Sequence, residues 1–339
     1  MSKQKIRVGL VGLGGAAYMH EAGYRQSTDY AEIVAMCDLN EKIVSKRAKP
    51  YDAKVYTNYL DLVSNPAVDL VDVCAPHPMH FEIALAALEQ KKHVLVEKPI
   101  CVKSEQAQVL IDKAKKAGVK LSVAENTRFV KSYIETEKIL KEGILGNIWT
   151  VRTLIAGSEA FRLKKADSWV GKKPYGGVIL DEGGHTFYLL KWLFGGLHDV
   201  QGFASKVVPE GELEDNAVIL GHLINGADIN VNFSCTMEIP WTERLEIYGS
   251  KGGLIVDHLA NPTLRYYNGS MDFKGKVNDQ VPYDPMAWKS LSFIEEVKDF
   301  VNAVYEDRPP TIDPVDGCYA VKVIEAVASS IESGKPVIV

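Results

Sequence analysis

Apolar residues in the first third of the chain gather in short runs: Ile6–Val11, Ile33–Cys37, Leu70–Ala75, Val94–Val96 and Lys120–Ala124. Between these runs, apolar positions recur at helical spacing. Phe81, Leu85 and Leu88 fall on one face of a helix over 81–91. Ser104 is placed to cap the next helix and Gly118 to stop it. Strands apolar on both faces and separated by helices predict a parallel sheet covered on both sides, with right-handed crossovers.

Past about residue 130 the pattern changes. Ser132 and Glu135 read as an S-x-x-E capping box opening a helix that Gly143 ends. From Ile148–Ala156 onward the runs lengthen and alternate. Ala217–Ile224 and Ala227–Ser234 flank Asn225-Gly226, a two-residue hairpin signal. Leu245–Tyr248 and Leu254–Asp257 flank Lys251-Gly252-Gly253, and Leu264–Tyr267 precedes Asn268-Gly269. This is the grammar of an antiparallel sheet. Two helices, about 287–305 and 315–333, close the chain around Pro309-Pro310. The pattern predicts an α/β chain in two parts, 1–125 and 126–339, joined without a flexible linker.

Composition narrows the class. The 339 residues are 46% hydrophobic and 24% charged, an ordinary globular balance that suits two domains. Lys plus Arg number 39 against 44 Asp plus Glu, a net charge of −5 that predicts no nucleic-acid or anionic-membrane surface. No apolar run approaches the ~18 residues needed to span a bilayer. Lys3, Lys5 and Arg7 before an apolar stretch loosely imitate a signal peptide. That stretch is rich in Gly and Ala, and no polar cleavage region follows, so strand plus turn reads better. The five scattered cysteines form no C-x-x-C pair, and reduced thiols in a cytoplasmic protein are the expectation.

Gly12-Leu13-Gly14-Gly15-Ala16-Ala17 fits G-x-G-x-x-[G/A] between a strand and a helix. Such a turn needs small residues for three reasons: a tight bend, close approach of backbone to a pyrophosphate, and close packing of helix on strand. The helix start then offers free N–H groups to an anion. Asp38 ends the second strand, where a carboxylate can bond adenosine ribose hydroxyls and repel a 2′-phosphate. With no Lys or Arg at 39–41, NAD is favoured over NADP, although Lys42 leaves the question open. The bland alternative is a turn that merely starts a helix, with a capping Asp.

Two further groups carry chemistry. Glu97-Lys98-Pro99 closes the Val94–Val96 strand, and strand C-terminal ends face the ligand crevice of a parallel sheet. A desolvated Lys there can donate to a reacting oxygen, and the proline could hold a cis bond. Taken alone, the tripeptide reads first as a surface ion pair. Asp181 and His185, four apart after a glycine-rich lead, share one face of a helix stopped by Gly195-Gly196. A carboxylate beside an imidazole suits proton transfer from an alcohol. A helix-capping Asp and a structural His remain the alternative, and no metal is indicated by ligand spacing.

These features in this order resemble the Gfo/Idh/MocA-type oxidoreductase family (glucose-fructose oxidoreductase and inositol dehydrogenase) over nearly the whole chain. The resemblance implies an N-terminal Rossmann domain over 1–125. It implies a C-terminal α/β domain over 126–339, built on a large open, mainly antiparallel sheet that pairs subunits into homodimers or homotetramers. It implies NAD as cofactor, with a sugar, sugar derivative or cyclitol as substrate. Lys98 would then sit beside the nicotinamide and bind the substrate hydroxyl, with Asp181 and His185 completing the catalytic group. The family's T-P-N-x-x-H stretch appears as Ala75-Pro76-His77-Pro78-Met79-His80, so Pro76, His77 and His80 would line the cofactor with Glu97. Asn126-Thr127-Arg128-Phe129 resembles its N-R-R-F segment, placing Asn126 by nicotinamide or substrate and Arg128 by substrate or in a structural role. Trp169, near Arg162, Lys164 and Lys165, suits a sugar, or equally a solvated loop. Two other activities fit the same residues: an NAD-dependent glycosidase working by transient oxidation and elimination, and a nucleotide-binding sensor without catalysis.

Overall fold

A computed structural model describes residues 4–164, 172–173, 177–269, 275–277 and 287–339, less the side chains of residues 162, 275–277 and 287–288. In chain order the elements are β1 (Ile6–Val11), α1 (Gly15–Arg25), β2 (Ala31–Cys37), α2 (Glu41–Ala48), β3 (Lys54–Tyr56), α3 (Tyr59–Val63), β4 (Leu70–Val73), α4 (His80–Glu89), β5 (His93–Glu97), α5 (Ser104–Ala117) and β6 (Leu121–Ala124). There follow α6 (Lys131–Lys141), β7 (Ile148–Ala156), α7 (Ala160–Lys164), α8 (Val178–Phe194), β8 (Leu197–Ser205), β9 (Asn216–Leu223), β10 (Asp228–Ser234) and β11 (Thr242–Gly249). The chain ends with β12 (Gly253–Asp257), β13 (Leu264–Tyr267), β14 (Gly275–Val277), α9 (Ala287–Glu306), α10 (Pro314–Ser333) and β15 (Val337–Ile338). The chain divides into two compact units, 1–126 with 290–318, and 127–289 with 319–339.

The first unit is a six-stranded sheet in the order β3-β2-β1-β4-β5-β6, every pair parallel. All four residues of β4 and of β6 are buried, which is why these strands are apolar apart from Asp72 and Ser122. Amphipathic α5 buries Ala107, Leu110 and Ala114 and ends at Gly118 in the left-handed region. Lys103, not Ser104, is the residue before its first turn, and the Lys103 side chain makes no cap bond. The doubly wound order reverses direction at β1 and β4, and ligands bind such sheets beyond the strand C-termini at that switch.

Everything after 125 was expected in the second part, yet residues 290–318 pack with the first unit. Val297, Phe300 and Val301 of α9 join Val8, Leu10, Met36, Leu70 and Leu95 in one core. A Cβ on Gly23 of α1 would lie 2.5 Å from Val297 Cβ, so that helix contact requires glycine. Ser122 donates to the Ile312 carbonyl at 2.9 Å, and Lys120 pairs with Asp307 at 2.9 Å. Periodicity shows that a helix has an apolar face but not which core that face will fill.

The second unit is a nine-stranded sheet, β14-β13-β12-β11-β7-β10-β9-β8-β15. It is antiparallel except for β7 and β10, which run parallel and join its two antiparallel halves. Alternation sorts its faces. Ile229, Val231 and Phe233 are buried, and Phe187 of α8 meets Phe233 edge-on at 6.3 Å. Phe203, Val218 and Leu220 are exposed on the opposite face. The β9–β10 turn is one residue longer than Asn225-Gly226 predicts. Leu223 N–H bonds the Ala227 carbonyl at 2.8 Å, Asn225 Oδ1 accepts the Ala227 amide, and Gly226 takes φ +86°. The capping box does not form either: α6 begins at Lys131, and Ser132 is buried one residue inside it, 3.3 Å from His258 Nε2. No helix among the described residues is long and apolar enough to cross a membrane.

Candidate active site

The glycine-rich turn bends where β1 ends. Gly12 has φ +84°, and a Cβ there would come within 2.6–2.7 Å of backbone atoms of Cys74 and Ala75. Conformation and space both demand glycine. Around Gly14 and Gly15 a Cβ would meet nothing within 4 Å. Helix α1 starts at Gly15 with Gly14 at its cap position and no side-chain cap bond. The N-terminal amides therefore face open space, the arrangement a pyrophosphate needs. Ala17 is buried in the core beneath, while Ala16 lies half-buried.

Asp38 follows β2. Its Oδ2 accepts the Leu13 amide at 2.9 Å and its Oδ1 the Asn40 amide at 2.8 Å. Each carboxylate oxygen has a second lone pair, so a ribose hydroxyl can still be accepted. A residue the sequence did not single out braces the turn from behind. The buried Arg47 guanidinium donates to the Leu13 carbonyl, pairs with the buried Glu21 carboxylate and stacks 3.9 Å over the Tyr18 ring. Arg47 reaches Leu13, Tyr18 and Glu21 from 26 residues or more along the chain, and no local pattern announces it.

Lys98 follows β5 on the same C-terminal sheet edge as Gly12, with β4 between. At the ordinary strand spacing that separation is roughly 10 Å. The Lys98–Pro99 bond is cis, and Lys98 is half-buried. Glu97 is buried beneath it and its Oε2 accepts the Lys98 amide at 2.9 Å. The Glu97 Oε1 lies 3.2 Å from Nε2 of buried His20 on α1. Pro76 starts the short 3-10 turn at 77–79. His77 is buried and meets the His80 ring edge-on at 5.6 Å. His80 departs from the expected cofactor contact: its Nδ1 lies 2.7 Å from the Pro99 carbonyl and its Nε2 2.8 Å from that of Ala75. Both ring nitrogens are spent on backbone, so His80 straps the Ala75 turn to Pro99. Burial lowers its pKa against those two acceptors, which favour the doubly protonated ring. Asn126 is buried and donates to Ser292 Oγ at 2.7 Å.

In the second unit, Asp181 and His185 occupy the first two turns of α8, four residues apart on one face. His185 Nδ1 lies 3.3 Å from Thr127 Oγ1. The two residues border a small hollow whose lining includes Tyr133, Thr153 and Glu243. Glu243 is a carboxylate the sequence did not flag. Burial pushes its pKa up, but the charges of Lys289, His258 and His185 outweigh burial and hold it at about 2. Lys289 Nζ donates to its Oε1 at 3.1 Å and Trp241 Nε1 at 3.0 Å. The glycine-rich lead also has a steric cause, because a Gly177 Cβ would collide with Glu214. Glu214 Oε1 accepts the Ile179 amide at 3.3 Å, so the cap of α8 comes from a residue 35 positions away. Arg128 stacks 3.9 Å over the Trp192 ring, a packing role. Trp169 and Lys165 lie outside the described residues, as does the side chain of Arg162.

Residues 6–125 match the NAD-binding Rossmann-fold model of an oxidoreductase family, and residues 137–339 match that family's C-terminal alpha/beta domain. Over 98% of both chains the sequence is 26% identical to a myo-inositol 2-dehydrogenase of Thermotoga maritima. The fold is similar to that of the WlbA dehydrogenase of Bordetella pertussis in complex with NADH and UDP-GlcNAcA, with TM-score 0.89 and 22% identity over 100% of this chain and 99% of that one. It is likewise similar to levoglucosan dehydrogenase in complex with NADH and levoglucosan, with TM-score 0.88 and 20% identity over 99% of each chain.

Proposed function

The chain belongs to the Gfo/Idh/MocA oxidoreductase family, and on that premise we propose that it is an NAD-dependent dehydrogenase of a sugar, sugar derivative or cyclitol. The observation that carries this reading is the open, uncapped start of α1 on the same sheet edge as Lys98. The backbone amides of Gly14, Gly15 and the first turn of α1 would hold the pyrophosphate, and Asp38 the adenosine ribose. The Asp38 carboxylate, fixed by two amides, would repel a 2′-phosphate and so select NAD. When bound, NAD supplies the acceptor for hydride.

The chain's own residues do the rest. Lys98 donates a hydrogen bond to the substrate oxygen and stabilises the charge that develops there. His185, with Asp181 on the same helix face, takes the hydroxyl proton. Asn126 contacts the nicotinamide or the substrate. The exposed sheet face bearing Phe203, Val218 and Leu220 pairs copies of the chain into a homodimer or homotetramer. The cytoplasm is the compartment we assign, and the five free cysteines, four of them buried, agree with it.

The test is a panel of cyclitols, sugars, uronic acids and glycosides, myo-inositol first, incubated with NAD or NADP and followed by absorbance. Steady accumulation of NADH supports the dehydrogenase. Aglycone release without net NADH supports the glycosidase instead. Neither outcome with any member would leave the sensor.

A further inference from the structure

His20 sits on α1, within the first two turns after the cradle, and is completely buried. Its Nδ1 lies 2.9 and 3.1 Å from the two carboxylate oxygens of Asp72 on β4. Its Nε2 lies 3.2 Å from Glu97 Oε1 at the end of β5 and 3.6 Å from Glu296 Oε1 on α9. Tyr24, one turn along α1, donates to Asp72 Oδ2 at 2.8 Å. The Cys74 thiol lies 3.5 Å from both Nδ1 and Asp72 Oδ1. The Phe293 ring covers the imidazole at 5.9 Å.

A carboxylate facing each ring nitrogen favours the doubly protonated imidazole. Burial opposes that charge, but Asp72 overcomes it and the His20 pKa stands well above the ordinary value. Glu296 is different. Neither of its oxygens has a hydrogen-bond partner among the described residues, and burial raises its pKa well above the ordinary carboxyl value despite the nearby His20. The nearby Glu97, Glu125 and Asp72 charges push it the same way. The His20 ring thus lies between the Asp72 and Glu97 carboxyl groups. His20, Asp72 and Cys74 are also close enough together to suggest a cation site. Burial and the Asp72 charge raise the Cys74 thiol pKa above its ordinary value.

We propose that His20 is a positioning residue for Lys98, fixing the Glu97 carboxylate that in turn holds the Lys98 amide, and so tying the cofactor-cradle helix to the end of β5. The proposal rests on the reading of Lys98 given above. The path is continuous: Tyr24 to Asp72, Asp72 to His20, His20 to Glu97 Oε1, Glu97 Oε2 to the Lys98 N–H. One Glu97 oxygen faces His20 and the other accepts the Lys98 amide. Loss of His20 removes the anchor on Oε1, and the carboxylate and the Lys98 backbone it holds shift together, taking the ammonium out of register with the substrate oxygen. A misplacement of about 1 Å is enough to cost roughly 100-fold in rate.

The experiment compares the full chain with His20→Gln, Glu97→Gln and Glu296→Gln. The first readout needs no substrate: amide hydrogen exchange across 94–98 by mass spectrometry. Lys98 amide exchange should rise at least ~10-fold in His20→Gln and Glu97→Gln, with β1 and β4 peptides unchanged. Glu296→Gln should match wild type. The second is turnover with NAD and the most active polyol of the panel. There kcat should fall ~100-fold in His20→Gln while KM for NAD moves less than ~3-fold. Adding His20→Gln to Lys98→Ala should cost no more than ~2-fold further, since one residue acts through the other. If His20→Gln does not fold, Glu97→Gln tests the same link from its other end. Unchanged Lys98 exchange in both variants, or full kcat in the folded ones, overturns the proposal. Should Lys98→Ala itself keep wild-type turnover, the reading of Lys98 fails, whatever the exchange data say.

Discussion

Substituting alanine at Gly12 and, separately, at Gly14 should damage two different properties. At Gly12, φ is +84° and the new Cβ would sit 2.6 Å from Ala75 N. The left-handed conformation costs an L-residue about 1–2 kcal/mol. The clash is with backbone, so the turn at 74–75 must shift, at about 1–3 kcal/mol for overpacking. Together these give a loss of about 2–5 kcal/mol, a fall in melting temperature of roughly 4–20 °C. At Gly14, φ is −77° and ψ −160°, and nothing lies within 4 Å of the added methyl. Stability should stay within about 1 kcal/mol of wild type, with any change tending upward. The methyl instead occupies the space a pyrophosphate would use, and NAD affinity should fall ~10-fold or more, about 1.4 kcal/mol. Thermal unfolding without NAD measures the first effect and calorimetric NAD titration the second. A Gly12→Ala variant that melts with wild type, or a Gly14→Ala variant that binds NAD as tightly as wild type, would refute the account of the turn.

Arg47→Ala should destabilise by about 1–3 kcal/mol, because it leaves the buried Glu21 Oε1 without its guanidinium while Oε2 keeps Tyr51 and Arg25, and urea unfolding would register it. Glu243 has its carboxyl held at about 2, below its unfolded value, so it stabilises the fold above that value and the contribution disappears as pH falls from about 4.5 toward 2. The amount is on the order of 3 kcal/mol, and Glu243→Gln should flatten that part of an acid-unfolding curve, which a superimposable curve would disprove. His185→Ala should lower turnover by ~100-fold or more with NAD affinity unchanged, as removal of a general base does. A steady-state comparison on the best panel substrate checks it.

Much of this molecule is written locally. β4 and β6 are buried on both faces, and mostly apolar runs between helices such as Leu121–Ala124 are what a covered parallel sheet requires. Gly12 announces itself because its backbone conformation excludes other residues. What stayed hidden depends on distant partners. Ser132 carries a capping signature, yet its hydroxyl faces His258, 126 residues on, and the helix begins one residue earlier. The parallel β7–β10 pair joins strands far apart in the chain, which turn chemistry does not report. Arg47, Glu214 and His20 are ordinary polar residues on the page. Only folding brings Arg47 to the Leu13 carbonyl, Glu214 to the start of α8, or His20 between Asp72 and Glu97.

The most direct test of hydride transfer uses myo-inositol and the other panel polyols carrying deuterium on their ring carbons. Mass spectrometry then follows the label in the nicotinamide pool. Net reduced cofactor carrying one deuterium, abolished by Lys98→Ala while NAD still binds, is what this account predicts. A cofactor pool that stays oxidised and unlabelled with every polyol offered would contradict it.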